Sequence, residues 1–118
     1  MNSIVEELAA WTQRNAATLS GRGVQLTNKF PEPGSSHPWK ASIELAHQHI
    51  ILSYTVWERT VLQTELIAMN TSTGKTLVMD EGAPSDPSAI HAELDEVVRK
   101  LLDDTYGRMN PDPKLSIS

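Results

Sequence analysis

A chain of 118 residues fits one domain with a core of its own, and the absence of cysteine excludes disulfides, thiol chemistry and thiolate metal sites. Fifteen Asp and Glu against ten Lys and Arg leave a net charge of −5, which disfavours nucleic acid as a partner because counterion release from phosphates needs a basic face. The same acidity suits a basic protein partner or serves solubility alone.

Residues 1–7 carry acids where a signal peptide carries basic residues, and no apolar run approaches the roughly 20 residues of a membrane span. A cytoplasmic protein without a membrane partner is the expectation. Ser3 and Glu6 stand at the S-x-x-E spacing of a capping box, so a helix should start near Ile4. Ile4, Leu8, Trp11 and Leu19 follow helical spacing, which makes Trp11 a core anchor rather than a ligand platform, and Ser20-Gly21-Arg22-Gly23 supplies a glycine stop. Residues 24–30 alternate apolar with polar and predict a short edge strand. Three prolines and a glycine within residues 31–38 predict a loop. Trp39, Ala41, Ile43 and Leu45 then alternate with polar or small neighbours, the pattern of a half-buried strand.

The chain is organised around residues 50–69. Residues 50–57 and 61–69 are two runs of β-branched, aromatic and aliphatic side chains, with Glu58-Arg59-Thr60 between them to reverse direction. A turn at 46–49 precedes this hairpin, and a second reversal at 70–74 leads into a fifth run at 75–80. Such short connections predict an antiparallel meander. Residues 81–85 read as a linker, Asp86 as an N-cap with Pro87 at the first helical position, and Ile90, Leu94, Val97, Val98, Leu101 and Leu102 as one face of a helix reaching about Asp104. The expected fold is α+β: an N-terminal helix, an antiparallel meander sheet of four to five strands, and a C-terminal helix packed on the sheet. It occupies residues 1–106, with a frayed tail over 107–118. Trp39, Ile43, Val56, Leu66, Leu94, Val98 and Leu101 are the expected core.

Glycine-rich phosphate cradles and the G-x-S-x-G elbow are missing, so neither a nucleotide cofactor nor a hydrolase triad is expected. His47 and His49 would project to one face of an extended strand and chelate a metal, or else belong to a polar turn; nothing fixes a third ligand, and no metal is assigned. Glu44, Glu58 and Glu65 on neighbouring strands allow acid–base work, against the commoner reading of a wet sheet face, and no enzyme is expected. The length of the hairpin turn decides which side chains share a face. A two-residue turn at Arg59-Thr60 pairs Trp57 with Leu62, whereas a three-residue turn sets Trp57 beside Gln63 or Val61 and on the face of Glu65. The longer turn is favoured, because neither Arg59 nor Thr60 readily takes the positive φ of a two-residue hairpin.

Set between a lone helix and a closing helix, Lys40-Ala41-Ser42-Ile43-Glu44-Leu45, Thr55-Val56-Trp57-Glu58, Glu65-Leu66-Ile67 and Ser72-Thr73-Gly74 resemble the TriTu immunity proteins of bacterial polymorphic toxin systems. The resemblance runs from Trp39 to Leu102. It implies a small cytoplasmic protein, without a cofactor, that neutralises a cognate protein toxin by occluding it. With the register above, the candidate partner contacts are Glu44, Thr55, Trp57, Glu58 and Glu65, in which an aromatic patch rimmed by carboxylates meets a basic surface. Trp57 as buried core is the competing reading. The alternative function is a small acidic secretion or assembly chaperone, a homodimer that holds an extended segment.

Overall fold

In the computed structural model, residues 4–30, 40–58, 62–84, 86, 88–106 and 108 are described. Strands β1 (Gln25–Lys29), β2 (Lys40–His47), β3 (Ile50–Glu58), β4 (Leu62–Asn70) and β5 (Lys75–Gly82) lie in sequence order as one antiparallel meander. Helices α1 (Ile4–Gly21) and α2 (Ala89–Leu102) flank the sheet in the chain, so the α+β expectation holds with five strands.

Period-two burial decides which face of the sheet is covered. Ala41, Ile43 and Leu45 of β2, Ile50, Leu52, Tyr54 and Val56 of β3, and Thr64, Leu66 and Ala68 of β4 are all buried, while their neighbours along each strand are not. Because successive strand side chains point to opposite faces, one face holds the core and the other is left open among the described residues. Both helices cover the first face. Leu8, Trp11 and Leu19 of α1 join Ile90, Leu94, Val97 and Leu101 of α2 in a single cluster with the strand residues. The two helices are tied where the Trp11 indole N–H donates to Asp95 Oδ1 at 2.9 Å, and α2 is tied to β4 where the Thr64 hydroxyl donates to Glu93 at 3.3 Å. Ile43, Val56, Leu66, Leu94 and Leu101 occupy the core as expected and Val98 packs partly buried against it; Trp39 lies outside the described residues.

Gly23 ends α1 with a φ of 81°, its N–H donating to Ser20 O and the Val24 N–H to Leu19 O, which is the Schellman arrangement. The Ser3 half of the expected capping box lies outside the described residues. Pairing of His47 with Ile50 leaves only Gln48 and His49 to join β2 to β3, and Gln48 takes a φ of 54° to do so. Between β3 and β4, Trp57 pairs with Gln63 and Glu58 with Leu62, the register of the three-residue turn. The next reversal is closed by Asn70, whose side-chain oxygen accepts the N–H groups of Ser72 and Thr73, and by Gly74 at a φ of 71°.

Two boundaries differ from expectation. Glu81 and Gly82 are strand rather than linker, because they continue the β4–β5 ladder opposite Glu65 and Thr64. Helix α2 begins at Ala89 instead of beside Asp86: the Asp86 carboxylate accepts the Ser88 N–H at 2.9 Å, forming a turn ahead of the helix, and Pro87 lies outside the described residues. The expected tail lies outside them too, except Arg108, while Tyr106 just before it is buried. Among the described residues no helix is long and apolar enough to cross a membrane.

Candidate functional site

Side chains on the uncovered face fall into rows that cross the strands. One row runs Lys40, Trp57, Gln63; the next Ser42, Thr55, Glu65, Glu81; the third Glu44, Ser53, Ile67, Met79; the fourth Ala46, Ile51, Met69, Thr76. Alternation in the strands generates these rows automatically, since every second residue of each strand returns to the same face. The rows differ in chemistry. The first two are aromatic and acidic, and the last two place Ile51, Ile67, Met69 and Met79 together over the β3–β5 side. Met69 and Met79, at 37% and 45% exposure, are the exposed large hydrophobic residues among those described.

Two concavities mark this face. A shallow one is lined by Glu44, Ile51, Ser53, Ile67 and Met69. A second, of about 270 Å³, lies at the end of β4 and β5 and is lined by Trp57, Gln63, Thr64, Glu65, Glu81 and Gly82. Trp57 is half-buried, and the Lys40 ammonium stands 5.7 Å from its ring centroid, a cation–π contact. Glu44 is neutralised by Lys29 at 3.3 Å. Glu65 and Glu81 face each other in the ladder, and among the described residues neither has an ion pair.

Four of the five candidate contacts, Glu44, Thr55, Trp57 and Glu65, share the open face, with Thr55 directly opposite Glu65. Glu58 does not belong with them: one residue beyond Trp57, it alternates to the helix-covered face opposite Leu62. For the same reason Glu44, Glu58 and Glu65 do not converge as acid–base partners. Glu81, Lys40 and the four apolar residues belong to the face but were not candidates. Glu81 carried no apolar alternation of its own, and only the register of β4 against β5 brings it beside Glu65.

His47 closes β2 and His49 lies in the turn, so the two do not project from one strand; His47 Nδ1 lies 3.4 Å from the Gly23 carbonyl oxygen. Among the described residues no three His, Asp or Glu side chains form a group able to hold a metal. His91 belongs to the helix pair. Arg14 can only donate, so it donates to His91 Nδ1 at 3.1 Å, which leaves the ring proton on Nε2 toward Glu7. Carboxylates held below their usual range flank or sit on α2: Asp86 ahead of it chiefly by its bond from the Ser88 hydroxyl, Glu96 by its bond from Arg99, and Asp103 chiefly by the Thr105 hydroxyl.

Compared with known proteins, the chain matches no protein-family model, no curated protein and no solved structure.

Proposed function

We propose that this chain is an immunity protein that binds a cognate protein toxin with its open sheet face and neutralises it by occlusion. The observation that carries the reading is the one-sided sheet, whose uncovered face presents Trp57, Ile51, Ile67, Met69 and Met79 beside the carboxylates of Glu65 and Glu81. Exposed apolar and aromatic side chains gathered on one face beside charged ones mark a protein-binding surface. The net charge of −5 favours encounter with a basic partner. The motif resemblance to immunity proteins supports the same reading.

Co-expression with the protein encoded by the neighbouring reading frame tests it. That neighbour is expected to be toxic alone and harmless beside this chain. Trp57→Ala is expected to lower affinity for it by about 2 kcal/mol, roughly 30-fold, with little loss of stability because the ring is not in the core. A neighbour that is harmless by itself overturns the proposal, as does a stable dimer of this chain that holds an unfolded segment.

A further inference from the structure

We propose that the cleft bounded by Trp57, Glu65 and Glu81 receives an arginine side chain of the protein partner. This deepens the immunity reading, on which it rests, by naming what the toxin presents. Three observations converge on it. The first is electrostatic: Glu65 and Glu81 are directly opposed across β4 and β5, and like charges so placed destabilise a sheet. Glu44 on the same face has Lys29 to neutralise it, but among the described residues no cation pairs with either member of this couple. A cation entering the cleft relieves the repulsion, so its binding is favoured by more than its own contacts.

The second observation is the wall. Among the described residues Trp57 is the aromatic ring on this face, and it already draws the Lys40 ammonium to 5.7 Å from its centroid, so it is placed to attract positive charge. The third is size. At about 270 Å³ the cleft falls below the range that encloses a drug-sized ligand and suits a single side chain. A guanidinium matches better than an ammonium, because it is planar enough to stack on an indole while its fork of N–H donors spans two carboxylates.

The full-length protein, labelled with ¹⁵N, is titrated with acetyl-Arg-Arg-Arg-amide and separately with acetyl-Lys-Lys-Lys-amide. Saturable shifts are expected at the Trp57 indole N–H and at the Glu65 and Glu81 amides. The lysine peptide and the Glu65→Gln/Glu81→Gln variant should each bind at least about fivefold more weakly than the arginine peptide binds the parent. The same variant should melt at a higher temperature than the parent, since it removes the opposed charges. Shifts centred on Glu96 and Asp103 of the helix side, equal binding of the lysine peptide, undiminished binding by the variant, or a lower melting temperature would each overturn the assignment. No toxin enters the experiment, so the cleft is tested separately from the immunity reading.

Discussion

Tyr54 is fully buried in the middle of β3, and its hydroxyl is the buried side-chain polar atom that has no hydrogen-bond partner among the described residues. Thr64 and Glu93 stand beside it, already bonded to each other. Burial first, and the Glu93 charge second, push the phenol far above its ordinary value. A raised pKa on an acid means that folding favours the protonated form. The stability that this contributes is complete below the unfolded tyrosine pKa of about 10 and is lost as pH rises beyond it. Tyr106, also raised by burial, acts in the same direction. Unfolding free energy measured with denaturant should therefore decline between about pH 9 and 11, and decline less in Tyr54→Phe. At neutral pH the same substitution removes an unsatisfied hydroxyl, so it should be neutral or stabilising by up to about 1 kcal/mol. A loss above about 2 kcal/mol would show that the hydroxyl is bonded in solution. The expected core held Val56 but not Tyr54, although alternation with Leu52 and Val56 puts Tyr54 on the same face. The want of a partner was not legible in the sequence, because the groups around the oxygen come from β4 and from α2, whose placement no local pattern specifies.

Helix α2 shows what periodicity does convey. Ile90, Leu94, Val97 and Leu101 recur at helical spacing and all are buried. Leu94→Ala and Leu101→Ala should each lower unfolding free energy by about 2–5 kcal/mol in denaturant titrations, and a loss below about 1 kcal/mol would mean that this stripe does not face the core. The two hairpins show where a local rule holds and where it yields. Avoidance of positive φ at Arg59 and Thr60 correctly favoured a three-residue connection between β3 and β4. Yet at the β2–β3 turn Gln48 accepts a φ of 54°. There the buried pairing of Leu45 with Leu52 fixes the register of two strongly alternating strands, leaving only two residues for the reversal, and core burial outweighs the strain of one residue. The side on which α1 packs was not legible, because an apolar stripe fits either face of a sheet. The bond from Trp11 to Asp95 and the contact of Glu7 with His91 join residues from opposite ends of the chain, and they set α1 against α2.

At the scale of the molecule, the open face follows from counting elements. Five strands spaced about 4.8 Å apart make a sheet roughly 19 Å across, and two helices side by side at about 10 Å each cover that width once. With both helices on one side, no described element covers the other, and among the described residues the acidic and apolar rows are left uncovered. The two halves of that face should act at different stages of binding. Charge acts at long range and speeds encounter, whereas the apolar corner of Ile51, Ile67, Met69 and Met79 acts only in contact and holds the complex together. With the proposed basic toxin, raising salt from about 50 to 500 mM should slow association by on the order of tenfold, because the Debye length shrinks from roughly 14 Å to 4 Å. Dissociation should change little, since close contacts between buried groups are weakly screened. Stopped-flow mixing at several salt concentrations separates the two rates. An association rate indifferent to salt would leave the Glu65–Glu81 row without a part in encounter and place recognition in the apolar corner alone.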